Sequence, residues 1–207
     1  MINDILTLVS FSVGNYVTWA SKAIFKGDRL VSKKLSGNRT FDYNYGYSVL
    51  FNDRECNLKN FIENAYSNYR VFKEDLGLNA VIRFFVSSKS IREMLEVKYL
   101  IALTSLECLT SYLSSYFKKK EKKVDLGSFK KRLIALFREF SIAYTEDELD
   151  FIKTRNTIIH TGKFPVEKSP LEEYHKVINL IDRIILKILG YRGRYVNIKN
   201  HRTEKVH

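Results

Sequence analysis

Cysteine is scarce in this chain: Cys56 and Cys108 are the only two in 207 residues. Two thiols build neither a disulfide framework nor a cysteine-based zinc site, and a reducing cytoplasm is the compartment expected for such a chain. Proline is equally rare, with two residues, and glycine supplies nine. Collagen-like, proline-rich and low-complexity organisations are thereby excluded. No uninterrupted apolar run reaches the roughly 18 residues of a transmembrane helix, so no membrane partner is expected. The apolar start, residues 5–13, follows Asp4 instead of a basic residue and reads as folded structure, not as a signal peptide. His160, His175, His201 and His207 are too scattered for metal-ligand spacing, and neither a metal nor a cofactor is expected. The sequence also lacks a G-x-x-x-x-G-K-[ST] loop and a G-x-S-x-G elbow, which leaves NTPase and serine-hydrolase chemistry without support.

What the chain does have is globular composition, 45% apolar and 28% charged, and a net charge of +12 from 35 basic and 23 acidic residues. The charge is uneven. Residues 117–138 hold nine Lys or Arg against two acids, and residues 187–207 hold six against one. These windows carry +7 and +5, which together account for the whole +12. Concentrated positive charge suits a polyanion such as RNA, DNA or an anionic membrane surface, whereas the plainer reading is a solubilising loop and tail.

Periodicity divides the chain. Residues 2–11 suit one short helix, and Val17, Trp19, Ala23 and Phe25 then alternate. Over residues 40–51 the alternation is cleaner, with Phe41, Tyr43, Tyr45, Tyr47, Val49 and Phe51 on one face and Asp42, Asn44 and Ser48 on the other. Period two with aromatic enrichment predicts a half-buried strand, and the turn chemistry of Ser36-Gly37-Asn38 predicts that residues 30–35 pair with it as a hairpin. The aromatic face suits either RNA stacking or a small core; the absence of basic residues on it favours the core.

After residue 57 the spacing turns helical, first through Leu58, Phe61, Ile62, Ala65, Tyr69 and Phe72. Further helices are expected over residues 79–88, over 90–117 with Met94, Leu95, Tyr99, Leu103 and Leu106 towards a core, over 129–140, from a Thr145 cap to about 160, and over 171–189. The KKKEKK run at residues 118–123 marks an exposed connection. The expected architecture is mainly α: a bundle of five or six helices over residues 58–196, preceded by a small β-containing segment, 1–57, and followed by a basic tail, 197–207.

One constellation stands out near the end of the fifth helix. With Leu149 at 0° and about 100° per residue, Ile152 and Ile159 fall near 300° and 280°, Asn156 near 340° and His160 near 20°. Asn156 and His160 thus share an apolar stripe, with Arg155 at its border. Polar groups beside core residues are costly unless partnered. The structural explanation is that Asn156 and His160 satisfy backbone carbonyls and that Arg155 pairs with Glu107 or another acid.

The run Arg155-Asn156-Thr157-Ile158-Ile159-His160 resembles the R-x4-6-H signature of HEPN domains, all-helical domains of which many are metal-independent ribonucleases. The stretch from Lys98 to Leu109, with Glu107, is similar to that family's core helix. Gly190-Tyr191-Arg192-Gly193-Arg194-Tyr195 is similar to the closing segment of the ApeA-like subgroup of phage-defence HEPN proteins, in which a β-rich part precedes the helices. The resemblance covers residues 58–196. It implies a HEPN-like fold, a homodimer with two motifs meeting at its interface, and cleavage of RNA by its own 2′-hydroxyl. Arg155, Asn156 and His160 would be catalytic, with Glu107 as possible support. A histidine that titrates near neutrality can move the proton, and an arginine can grip phosphate oxygens at two points. Lys118, Lys119, Lys120, Lys122 and Lys123 are the expected RNA-binding residues. The implied role is an antiphage or toxin-type effector, with an antitoxin or a sensor domain as a further partner. The alternative is a non-catalytic HEPN-like module that dimerises or binds nucleotide or RNA; a DNA-binding protein is a third option, without a recognisable recognition helix.

Overall fold

The structure is a computed structural model that describes residues 1–18, 21–35, 48–50, 58–90, 93–199 and 202–206. Helix α1 (Ile2–Val13) is followed by strands β1 (Ser21–Lys26) and β2 (Arg29–Leu35) and by the helices α2 (Leu58–Phe72), α3 (Leu78–Ser90), α4 (Leu95–Ser111), α5 (Leu113–Lys119) and α6 (Phe129–Glu139). A 3-10 turn (Asp147–Asp150) leads into α7 (Phe151–Thr161), and α8 (Pro170–Ile188) precedes the hairpin of β3 (Arg194–Asn197) and β4 (Arg202–Lys205). The chain is thus mainly helical, with a small two-stranded sheet near each end. Among the described residues no helix is long and apolar enough to cross a membrane.

The helix over residues 90–117 is broken in two. Tyr112 sits in a turn between α4 and α5, and its ring lies over Gly77, in the space that a Cβ there would occupy. Met94, expected in the core, caps the N-terminus of α4 and is 70% exposed. With α1 added and the third helix divided, the bundle exceeds the expected five or six helices.

Helix α8 organises the packing. Its apolar residues, from Tyr174 through Ile181 to Ile188, form one wide buried face, while Glu172, Lys176, Asn179, Arg183 and Lys187 line the other side. Helices α2 and α4 pack against α8, α3 against α4, and α6 and α7 against α4. α1 lies on α2 and α3, where Phe11 meets the rings of Phe61 and Phe85, and Leu8, Val49 and Leu50 join the same core. The expected basic tail also folds back: β4 pairs antiparallel with β3, and Tyr195 and Ile198 are buried.

Residues 30–35 form a hairpin, but with Ser21–Lys26 across Gly27-Asp28. Of the aromatic strand expected at 40–51, residues 40–47 and 51 lie outside the described residues. Ser48 to Leu50 follow a bend in which Val49 and Leu50 are buried.

Candidate functional site

Local sequence sets up α7 from both ends. The Thr145 hydroxyl accepts from the Glu148 N–H at 3.4 Å while the Thr145 N–H donates to the Glu148 carboxylate at 3.1 Å, a reciprocal capping box. The cap serves the 3-10 turn, so α7 proper begins at Phe151. Gly162, at φ 72°, closes the helix by donating its N–H to the Ile158 carbonyl at 2.8 Å, a left-handed conformation that glycine adopts without strain.

The face that α7 gives to the core is Phe151, Thr154 and Ile158. With Thr154 at 0° and about 100° per residue, Arg155 falls near 100°, Ile159 near 140°, Ile152 near 160°, Asn156 near 200° and His160 near 240°. The stripe that Asn156 and His160 share with Ile152 and Ile159 therefore faces outward. Asn156 and His160 are exposed, and Ile159 is 50% exposed. The desolvation penalty expected for them does not arise. Leu149, which anchored the sequence wheel, lies on the 3-10 turn and is buried, so it never belonged to that stripe.

Arg155 is held from two sides. It forms an ion pair with Glu107 on α4, and its Nη1 donates to the Asn156 side-chain oxygen at 3.1 Å. Its side chain is 28% exposed and that of Glu107 39%, so the pair lies at the rim of the bundle. Arg155, Asn156 and Glu107 are thus brought together. Arg155 and His160 are five residues apart, and about 140° round the helix separates their directions.

Behind this face is a network that sequence reasoning missed. The buried Thr154 hydroxyl donates to Glu173 at 3.1 Å and accepts from Lys168 at 2.9 Å, and Glu173 also receives Lys168 at 3.1 Å and Lys176 at 2.8 Å. Burial pushes the Glu173 carboxyl up, but the two ammonium groups and the hydroxyl outweigh it and hold it below the ordinary 4.5. Tyr99 ties α4 to the same region, its hydroxyl donating to the Phe151 carbonyl at 3.2 Å. The available signal was Thr154 itself, a polar residue on the periodic line from Phe151 to Ile158.

The lysine run is exposed throughout but not uniformly available. Lys119 pairs with Asp75, while Lys120 and Lys122 both pair with Glu139, at 2.9 and 2.5 Å. Lys118 and Lys123 have no ion-pair partner among the described residues. In the same basic window Lys130 pairs with Glu146 and Lys131 with Asp125. Five of its nine cations are thus neutralised within the chain.

Among the described residues no three His, Cys, Asp or Glu side chains converge so as to hold a metal ion. His175, expected on the exposed side of the last helix, is half-buried. No family model matches the chain, no curated protein matches it, and no solved structure matches it.

Proposed function

We propose that the chain is a metal-independent endoribonuclease of HEPN type, working as a homodimer in the cytoplasm as an antiphage or toxin-type effector. The observation that carries this reading is the outward face of α7: exposed Asn156 and His160 beside half-exposed Ile159, with Arg155 anchored next to them by Glu107. Since Arg155 and His160 point apart on one helix, a second copy would have to bring its own motif to the same phosphate. Ile152 and Ile159 give such a face apolar area to bury.

The chemistry asks little. One group removes the proton from the RNA 2′-hydroxyl, whose oxygen attacks the adjacent phosphorus. A cation stabilises the charge on the phosphorane, and an acid protonates the departing 5′-oxygen, leaving a 2′,3′-cyclic phosphate and a 5′-hydroxyl. Two His160 side chains would share the proton transfers, and two Arg155 side chains would hold the phosphate oxygens. The test is incubation with mixed tRNA and mRNA in EDTA, wild type beside His160→Ala. Cleavage by the wild type alone, giving cyclic ends, is the expected result; equal cleavage by both proteins, or by neither, overturns the proposal.

One observation favours a second reading. Arg155 is already satisfied by Glu107 and Asn156, as expected of a structural residue in a non-catalytic HEPN-like module that dimerises or binds nucleotide or RNA. That reading predicts loss of melting temperature in Arg155→Ala and no RNA cleavage by the wild type.

A further inference from the structure

Among the described residues the β1–β2 hairpin holds more unneutralised cations than the lysine run, where only Lys118 and Lys123 lack an ion pair. Residues 21–35 hold five Lys or Arg against one acid, Asp28. Lys26, Arg29, Lys33 and Lys34 are all exposed, and none has an ion-pair or side-chain hydrogen-bond partner among the described residues. The register sets like against like at the tip, where Lys26 lies opposite Arg29. Like charges directly across a strand pair destabilise it, and a ribbon with only two strands among the described residues is marginal to begin with. Neither strand packs substantially against any helix. Nothing described in the chain relieves this repulsion; a polyanion would.

Lysine on an open strand edge is also a common protection against aggregation. A protective edge, however, is polar, and this one is not. Ile24 is 61% exposed, Phe25 60%, Leu30 48% and Val31 61%. Phe25 and Leu30 form the rung directly behind Lys26 and Arg29 and, by the alternation of the strands, project from the opposite face of the hairpin, so cations and an exposed ring share one small ribbon on its two faces.

We infer that the β1–β2 hairpin is a binding arm for single-stranded RNA, in which Lys26, Arg29, Lys33 and Lys34 contact phosphates and Phe25 stacks on a base. The choice of RNA rests on the ribonuclease reading above; the binding itself does not need cleavage. A single strand is favoured over a duplex because an exposed ring gains contact only where base faces are reachable, and a flexible strand can present bases to the Phe25 face and phosphates to the Lys26 and Arg29 face. A lipid surface is disfavoured because the tip is Lys26-Gly27-Asp28-Arg29. Inserting it would bury the Asp28 carboxylate before any apolar side chain reached the acyl region.

The experiment measures binding of a fluorescent single-stranded 20-mer RNA by anisotropy at several salt concentrations, with the full chain in a His160→Ala background so that the probe stays intact. The comparison is a hairpin variant carrying Lys26→Gln, Arg29→Gln, Lys33→Gln and Lys34→Gln. It should bind on the order of 10²-fold more weakly near 0.1 M salt, with the log–log salt slope reduced by about 3. Phe25→Ala alone should weaken binding about tenfold and leave the slope unchanged. Because the hairpin stands off the bundle, both variants should keep the parent's melting temperature, and Lys33→Gln singly gives a milder second arm. Unchanged affinity and slope in the quadruple variant overturn the inference. So does hairpin-dependent binding to phosphatidylserine–phosphatidylcholine vesicles or to duplex DNA without hairpin-dependent RNA binding. Hairpin-dependent RNA binding by a protein whose wild type cleaves nothing would uphold this arm while refuting the ribonuclease.

Discussion

Lys89 on α3 and Asp182 on α8 form an ion pair with both side chains fully buried, their atoms 3.1 and 3.2 Å apart, and Lys89 also lies 4.4 Å over the Phe85 ring. Burial raises the Asp182 carboxyl from 3.8 to about 6 despite Lys89, and burial lowers the Lys89 ammonium despite Asp182. Both directions say that desolvation exceeds the attraction. Lys89→Met would leave the Asp182 carboxylate alone in the core, at a cost of about 3–5 kcal/mol. At roughly 2.1 cal/mol/K of unfolding entropy per residue, that lowers Tm by about 7–12 °C for this chain. The double variant Lys89→Met/Asp182→Leu should recover most of the loss and can exceed wild type. The pH dependence follows the same signs. A carboxyl raised in the native state contributes stability that is lost as pH rises from its unfolded value through about 6, here about 3 kcal/mol. A lowered ammonium restores stability as pH rises from its native value towards 10.5. Wild type should therefore be weakest against the double variant around neutrality. Calorimetry and urea unfolding of the three proteins at pH 4, 7 and 9 check this. A double variant as unstable as Lys89→Met, or a single variant that loses less than about 1 kcal/mol, would refute the reasoning.

Four further outcomes are expected. His160→Ala should abolish cleavage, since proton transfer contributes about 10²–10⁴-fold, and Arg155→Lys should restore little of what Arg155→Ala loses, because an ammonium cannot make the planar two-point grip; single-turnover assays with matched Tm measurements test both. Glu107→Gln breaks a rim ion pair worth at most about 1 kcal/mol, so Tm should move by only about 2–4 °C while kcat falls and KM holds. Glu173 titrates below its ordinary 4.5, so its contribution is present above that pH and lost as pH falls through the native value; Glu173→Gln should flatten the acid limb of a Tm-against-pH curve. Gly190→Ala should cost about 1–2 kcal/mol, because φ is +67° there and the new methyl would collide with the Asn68 amide; an unchanged denaturation midpoint would contradict it.

The helices are legible in the sequence where a long apolar period and its punctuation agree. α6 and α8 can be placed nearly to the residue because Phe129–Glu139 and Pro170–Ile188 each have one strong face and a clear end. The break between α4 and α5 cannot, because no glycine or proline marks it; it depends on Tyr112 packing over Gly77, a contact 35 residues away in sequence. The β1–β2 hairpin is obscured differently. Its alternation through Ala23 and Phe25 is visible, but a brighter turn signal at Ser36-Gly37-Asn38 draws residues 30–35 towards the following strand and away from Gly27-Asp28. Its charge is hidden by summation, since the acid excess of residues 139–186, nine acids against six Lys or Arg, offsets the surplus of the first 116 residues.

The site is legible as a set of residues and not as an environment. The spacing alone groups Arg155, Asn156 and His160, and it names Glu107 as an acid that could meet Arg155; the Arg155–Glu107 pair is present, while His160 points away from Arg155 round the helix. What a helical wheel cannot supply is the direction of the core. Ile152 and Ile159 define one apolar stripe on α7, and Phe151 and Ile158 define another. Thr154 gives the stripe of Phe151 and Ile158 a polar member, but Glu173 and Lys168 satisfy its hydroxyl inside the core. Once that bond is made, the face with Phe151 becomes the buried one, and Asn156 and His160 are turned outward. A buried hydrogen bond between residues 19 apart thus helps to set which face of α7 is left to solvent. Thr154→Val is the substitution that probes that decision. It leaves Glu173 and Lys168 each short of one buried partner, at a cost of about 1–3 kcal/mol, without touching any group on the outward face.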